Sequence, residues 1–344
     1  MTLPLAPPLE PMLARAQTDI PLVGRWLYEP KWDGFRAIVF RDGGSLRISS
    51  RNSLPLERYF PELLAPLGEA LPDRAVVDGE VVIGTPQGLD FDALQLRLHP
   101  AQSRVNMLAE KTPASVVLFD VLALGDDDLR RQPLQERRAR LLDAVRVNKT
   151  VGITPQTEDP EEATTWFTRY EGAGLDGVVA KAPESTYLHG ERGWIKVKHL
   201  RTVDTVVGGF RKSTKGEGIG SLLLGLYGED GVLHHVGHTS SFSAPERRQI
   251  LQQLTPLIGG ESFGHGRTPG APSRWTNAAD AAWTSVSPTL VCEVSFDHLQ
   301  GDRFRHAARF IRWRLDKAPR DCTFDQLSPP EAFALEDIIV APHR

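Results

Sequence analysis

The chain is predicted to be α+β, with an antiparallel first part and a glycine-punctuated β second part. Three observations predict it. Its 344 residues leave room for about two domains of ordinary size. The first two hundred residues mix strand-like runs with helical stretches, without βαβ alternation around a Gly-rich dinucleotide loop. From Thr205 onward, short β segments are divided by glycine and interrupted by one helix.

Taken in order, Leu27-Tyr28-Glu29-Pro30-Lys31 and Phe35 to Arg41 read as strands. Asp42-Gly43-Gly44 then turns the chain into Leu46 to Ser50. Further strands fit Ala75 to Ile83, Val116 to Leu122, Gly177 to Lys181 and Trp194 to His199. Helices fit between them at 57–69, 90–98, 134–146 and 160–172. The second part offers Val206 to Arg211, Ser221 to Tyr227, Val232 to Thr239, Leu290 to Phe296 and Phe310 to Arg314, with a helix at Ala244 to Leu257. Five strands plus one helix is the count for a β-barrel OB-fold domain, a fold that often binds nucleic acids. Residues 260–285, rich in glycine and proline, read as a long loop. The expected division is a first domain at 1–203, the barrel at 204–320 and an acidic tail at 321–344.

Forty per cent apolar residues suffice for packed cores and argue against wholesale disorder. Pro4, Pro7, Pro8 and Pro11 interrupt the only apolar start, so neither a signal peptide nor a membrane span is expected, and the protein reads as cytoplasmic. Cys292 and Cys322 belong to no C-x-x-C pair and read as reduced structural thiols. The net charge of −4 is unevenly spread: 1–200 carries −4, 201–320 carries +4 and 321–344 carries −4. A basic second domain is what contact with a phosphate backbone needs. Candidates for that contact are Arg211, Lys212 and Lys215, in a loop between two strands, and the cluster Arg303, Arg305 and Arg309.

Lys31 stands in the run Tyr28-Glu29-Pro30-Lys31-Trp32-Asp33-Gly34-Phe35-Arg36. A lysine attacks phosphorus only as the free amine, which nearby cations and partial desolvation favour. Arg36 is near enough in sequence to contribute, and Asp33 is placed to orient the amine or hold a divalent cation. Further along, extended Val77-Asp78-Gly79-Glu80-Val81 puts Asp78 and Glu80 on one face. In Trp194-Ile195-Lys196-Val197-Lys198 the two lysines share a side, an arrangement suited to triphosphate oxygens.

The K-x-D-G-x-R run resembles the first motif of covalent nucleotidyltransferases: ATP-dependent DNA ligases, RNA ligases and mRNA capping enzymes. The family's other motifs follow in its order. Ser49-Ser50-Arg51-Asn52 matches the second and Val77 to Val81 the third. Leu118-Phe119-Asp120-Val121 matches the next, Leu175 to Lys181 the fourth and Trp194 to Lys198 the fifth. Arg312-Trp313-Arg314-Leu315-Asp316-Lys317 resembles the R-x-D-K sixth motif, which the OB domain carries in DNA ligases and capping enzymes. With Pro11-Met12-Leu13-Ala14 ahead of the lysine, the chain most resembles small bacterial ATP-dependent DNA ligases of the C and D types, which serve repair. One departure is Asp176, where the fourth motif usually begins with glutamate.

That resemblance implies an adenylation (nucleotidyltransferase) domain and ATP as cofactor, with AMP carried covalently on Lys31. The adenylate passes to the 5′-phosphate of a DNA nick, and the 3′-hydroxyl then expels AMP. Glu29, Arg36, Arg51, Glu80, Phe119, Lys181, Trp194, Lys196 and Lys198 are expected around the nucleotide, with Phe119 stacked on the base. Asp176 and Glu80 are expected to hold Mg²⁺ or Mn²⁺. Lys31 and Asp33, with Arg314, Asp316 and Lys317, complete the catalytic set. Nicked duplex DNA is the expected partner, with a repair polymerase or primase-polymerase as a second, for a monomeric, nucleoid-associated bacterial enzyme. Two alternatives are a capping-type guanylyltransferase and a non-catalytic nucleic-acid-binding module; labelled ATP against labelled GTP separates the first, and the intact motif set speaks against the second.

Overall fold

The computed structural model describes residues 2–327, except 87, 171–174, 176, 200, 215–216, 264–268, 270–281 and 298. Contacts divide the chain into two compact units, Met1–His199 and Leu200–Ser328.

The first unit runs β1 (Leu13–Gln17), β2 (Leu27–Pro30), β3 (Phe35–Asp42), β4 (Ser45–Ser50), α1 (Leu64–Ala70) and β5 (Arg74–Val82). A small hairpin, β6 (Gly84–Thr85) and β7 (Gly88–Leu89), leads to α2 (Phe91–Leu96) and α3 (Gln102–Lys111). Then come β8 (Ser115–Leu124), β9 (Asp127–Asp128), α4 (Leu134–Ala144), β10 (Val151–Ile153), α5 (Pro160–Arg169), β11 (Val178–Lys181) and β12 (Arg192–Val197). They build two sheets, one ordered β1-β12-β11-β2 and the other β10-β8-β5-β3-β4 with β9 beside β8.

Residue alternation explains how these sheets stack. In β3, Ala37 and Val39 enter a core with Ile48, Leu63, Leu67 and Leu141, whereas Ile38 and Phe40 enter a second with Met12, Phe119, Tyr187 and Trp194. Both faces of the larger sheet are therefore covered, one by helices and one by the smaller sheet. Strand β8 departs from strict alternation. Its register with β5 shifts between Val76 and Val77 and again between Asp78 and Gly79, so Leu122 and Phe119 have no opposite residue. Each bulge turns an apolar side chain into the second core, where Phe119 meets Trp194 edge-on at 6.1 Å.

Several boundaries differ from those predicted. The helix expected over 57–69 begins as a short 3-10 turn at Pro61–Leu63 and continues as α1, and α5 stops at Arg169. Helix α3 escapes sequence reading because Val105 is its one buried residue, so it carries no apolar stripe. Strand β1 escapes it because its pattern is exposed; parallel pairing with β12 holds it.

The second unit contains β13 (Arg201–Lys212), β14 (Ile219–Tyr227), β15 (Leu233–Thr239), α6 (Ala244–Leu254), β16 (Thr284–Ser285), β17 (Val291–Phe296), β18 (Leu299–Gln300), β19 (Arg303–Phe304) and β20 (Arg309–Trp313). Its main sheet is antiparallel, ordered β15-β14-β13-β17-β20, with β16 on β13. The edges β15 and β20 meet at one isolated bridge, Thr239 to Ala308, where Ala308 N donates to His238 O at 2.9 Å. Among the described residues no ladder closes this sheet into a barrel. A capping box starts α6, with Ser243 N donating to the Glu246 carboxylate at 2.7 Å. Both cysteines are free and buried, and burial pushes the Cys292 thiol up to about 12, which keeps it protonated and inert. Most of the loop expected at 260–285, and 328–344 of the expected tail, lie outside the described residues. No described helix is long and apolar enough to cross a membrane.

Candidate active site

Lys31 is the first residue past β2, in the short link that carries the chain from one sheet of the first unit to the other. Three anchors fix that link. Lys31 N donates to Gly177 O at 2.8 Å, and Trp32 Nε1 donates to Thr154 Oγ1 at 2.9 Å. The Trp32 ring is buried with Val82, Val117 and Leu175. Gly34 admits no side chain, since a Cβ there would lie 2.2 Å from Val81 O and 2.9 Å from Glu80 Cγ. Gly177, at φ +123°, would place a Cβ 2.0 Å from Val197 O, so the carbonyl that holds Lys31 also depends on a glycine.

A pocket of about 740 Å³ opens beside this link. Its walls include Glu29, Lys31, Arg36, Arg51, Glu80, Phe119, Lys181, Trp194 and Lys196, contributed by motifs spread across the first unit. Lys198 lies beyond the end of β12 and Asp33 lies off the lining; Asp176 is outside the described residues. Alternation accounts for Lys196, because Ile195 and Val197 point the other way into a core with Tyr28 and Ala180.

The polar groups are arranged in two buried sets. Glu29 is 3% exposed; its Oε2 lies 2.6 Å from Lys181 Nζ, and its Oε1 accepts from Gln156 Nε2 at 2.7 Å. Lys181 has no other polar partner among the described residues, and its ammonium lies 4.2 Å from the Trp194 centroid and 4.7 Å from that of Phe119. Burial, partly opposed by Glu29, lowers its pKa. In the second set, Arg36 donates from Nε to Asp78 Oδ1 and from Nη2 to Asp78 Oδ2, both at 2.6 Å. Its guanidinium carbon lies 4.5 Å from the Phe119 centroid and 5.1 Å from that of Trp194. Glu80 faces Arg36 across β3 and β5. Burial raises its carboxyl to about 7, although Arg36 and Lys31 pull it down.

These features fit a nucleotide. The volume lies within the usual ~300–1,000 Å³ of ligand pockets. One region combines aromatic faces with a buried carboxylate and ammonium, and Arg36, Arg51 and Lys196 supply cations on the same walls as Lys31. Metal ligation is less developed: among the described residues no cluster of three His, Cys, Asp or Glu could hold an ion. Glu80 is therefore the described member of the expected metal pair.

The second unit carries the remaining predicted residues. Arg314 Nη1 lies 2.9 Å from both oxygens of Asp204, while its Nε and Nη2 each donate to Asp316 at 2.9 Å. Lys317 Nζ is 3.8 Å from Asp204 Oδ2, so one strand acid holds both cations of the R-x-D-K run and Arg314 in turn holds Asp316. The Arg314 contact brings the Asp316 carboxyl down to about 2. Arg211 and Arg303 act together on one imidazole: burial first, then these two cations, lower His235 to about 3. Lys212 is exposed at the end of β13, Arg305 is half-buried, and Arg309 is exposed opposite Ser295; Lys215 lies outside the described residues. Asp204, Gln156 and Tyr187 escape sequence reasoning, since their partners lie far along the chain and no local pattern marks them.

A model of the ATP-dependent DNA ligase domain matches residues 11–198, and one of the ATP-dependent DNA ligase C-terminal region matches 215–317. The chain is 48% identical to DNA ligase C1 of Mycolicibacterium smegmatis, over 98% of this chain and 99% of that protein. It is 49% identical to DNA ligase C of Mycobacterium tuberculosis, again over 98% of this chain and 99% of the relative. A solved Lig E DNA ligase shares its fold at a TM-score of 0.54 and 20% identity, covering 88% of this chain and 99% of that one.

Proposed function

Since the chain belongs to the ATP-dependent DNA ligase family, we propose that it seals 3′-hydroxyl/5′-phosphate nicks in duplex DNA through an adenylate carried on Lys31. The observation that carries this reading is the placement of Lys31 on the wall of the 740 Å³ pocket, anchored by Gly177 and Trp32, among nine sequence-predicted residues.

The residues divide the work as follows. Lys31 Nζ attacks the α-phosphorus of ATP, pyrophosphate departs, and AMP remains on the lysine. The aromatic faces of Phe119 and Trp194 receive the base beside Glu29. The Glu29 carboxylate accepts from an amino group at position 6 and repels the carbonyl that guanine carries there, which favours ATP over GTP and disfavours the capping-type alternative. Lys196 and Arg51 neutralise phosphate charge, the larger part of phosphoryl-transfer catalysis. Asp33 orients the amine, and Lys198 adds charge from beyond the strand end. Mg²⁺ is the proposed metal: Glu80 and Asp176 would hold it, and it would supply charge neutralisation at the phosphates that Lys31 approaches. A 5′-phosphate oxygen of the nick then attacks the lysyl-AMP phosphorus and releases Lys31. The 3′-hydroxyl attacks that 5′-phosphate, forms the phosphodiester and expels AMP.

We assign residues 1–203 to adenylation and read 204–320 as an OB-fold domain, on the strength of the β15-β14-β13-β17-β20 order and the edge-to-edge bridge. Arg314, Asp316 and Lys317 serve the adenylation step, and the basic residues from Arg211 to Arg309 grip the duplex. The enzyme acts as a monomer in bacterial DNA repair, alongside a polymerase or primase-polymerase.

The test is direct. The protein is incubated with ATP or GTP, the adduct is mapped by mass spectrometry, and nick sealing is followed on a gel. AMP on Lys31, with loss of labelling and sealing in Lys31→Ala, is the expected result. An adduct on another residue, or GMP in place of AMP, refutes the reading.

A further inference from the structure

Behind the pocket wall lies a buried hydrogen-bonded circuit that the proposed chemistry does not use. The Tyr187 hydroxyl donates to Asp78 Oδ2 at 2.5 Å and accepts from Met12 N at 2.9 Å. Asp78 binds Arg36 through two bonds of 2.6 Å, and Arg36 Nη2 also donates to Met12 O at 3.2 Å. Tyr187 is 3% exposed and Asp78 is fully buried. The circuit thus joins the segment ahead of β1, the strands β3 and β5, and the chain between β11 and β12.

We propose that Tyr187 is a positioning residue for nucleotide binding: it fixes the Asp78 carboxylate, and through it the orientation of the Arg36 guanidinium on the pocket wall. This rests on the reading that the pocket takes ATP. Three features support it. Arg36 commits Nε and Nη2 to the circuit, and Nη1 is the nitrogen that makes no hydrogen bond to the described residues. A guanidinium is planar, so pinning one edge fixes where the remaining nitrogen points. The carboxylate that pins it has its own rotation stopped by the tyrosine hydroxyl. Burial, reinforced by Asp78, raises the Tyr187 pKa well above its ordinary value, so the hydroxyl stays a donor throughout the working pH range.

A packing role for the ring is separable from this one. Tyr187 meets Trp194 edge-on at 6.0 Å and lies 5.8 Å from the Arg137 guanidinium carbon, contacts that Tyr187→Phe retains. That substitution removes only the oxygen, leaving Asp78 without one donor and Met12 N without its acceptor.

The experiment measures self-adenylation of full-length wild type and Tyr187→Phe across ATP concentrations, together with sealing of a pre-adenylated nick. The expected result is a KM for ATP raised about tenfold or more, the scale of one lost hydrogen bond to a charged group. The maximal rate should fall less than KM rises, and sealing of the pre-adenylated nick should stay within about threefold of wild type. An unchanged KM with a lower maximal rate marks a merely structural loss of active protein and overturns the proposal. Should Tyr187→Phe fail to fold, Asp78→Asn keeps the tyrosine and tests the same link; an unchanged KM there overturns it equally. Wild-type labelling is the control for the underlying reading: without AMP on Lys31 the function assignment fails, whereas normal wild-type labelling with an indifferent Tyr187→Phe defeats only this inference.

Discussion

Glu80→Gln should make the protein more stable at alkaline pH while removing activity. The Glu80 carboxyl is raised from 4.5 to about 7, chiefly by burial. An acid with a raised folded pKa binds its proton more tightly when folded. Its unfavourable contribution is therefore absent at low pH, grows between about 4.5 and about 7, and is constant above. At about 1.4 kcal/mol per pH unit, that interval sets an upper bound of about 3 kcal/mol. The glutamine amide keeps the size and polarity without the charge. We expect a gain on the order of 1–3 kcal/mol at pH 8, a rise in Tm of roughly 3–10 °C, and almost none at pH 4.5. Thermal unfolding of both proteins at the two pH values is the assay, with self-adenylation measured in parallel and expected to fall at least tenfold. A Tm gain of equal size at both pH values, or a loss at pH 8, would show that desolvation of the charged carboxylate is not what governs Glu80.

Three further outcomes follow from the geometry. Gly34→Ala must move backbone because its Cβ would meet Val81 O at 2.2 Å, so self-adenylation should drop about a hundredfold or more; near-normal labelling by a folded variant would show that the link is slack. Arg97, fully buried, donates to the Glu62 carboxylate at 2.7 and 2.8 Å and to Tyr59 O at 2.9 Å, beneath the wall that carries Tyr59; Arg97→Met should cost about 3–5 kcal/mol in chemical denaturation, and pairing it with Glu62→Leu should recover part of that. Removing Lys212 and Lys215 together should flatten the slope of log affinity against log salt for nicked duplex by roughly 1–2, leaving self-adenylation unchanged; an unaltered slope moves the DNA grip toward Arg303, Arg305 and Arg309.

The site was legible in the sequence where chemistry and chain neighbours coincide. Lys31 with Gly34 and Arg36, Glu80 in its strand, and Lys196 in its alternating run each announce themselves within a few residues. Groups whose partners are distant stayed hidden: Tyr187 reaches Asp78 across 109 residues, and Gln156 reaches Glu29 across 127. The sequence places Arg36 around the nucleotide, but its two-bond attachment to Asp78 is not legible there, because pairing of β3 with β5 brings them together. Phe119 illustrates a different limit. Strict alternation sorts β8 into two faces, but the bulge that frees Phe119 from its opposite residue depends on register with another strand. In the second unit the edges of β14, β15, β17 and β20 are legible to within a few residues, but β13 begins at Arg201 where Val206 is expected, and β16, β18 and β19 are not foreseen. Closure of the sheet is a property of long-range pairing that local pattern does not encode.

The link from β2 to β3 also has a consequence for biosynthesis. Lys31 is translated before the residues that fix it: the carbonyl that accepts from its amide belongs to Gly177, and the tryptophan beside it hangs on Thr154. Lys181, Trp194 and Lys196 complete the wall later still. A nascent chain thus presents Lys31 without these surroundings until the later residues emerge, and folding is held back by contacts spanning well over a hundred residues. On the proposed function, charging of Lys31 would report that both sheets of the first unit have come together, and the adenylate would be a covalent record of successful folding.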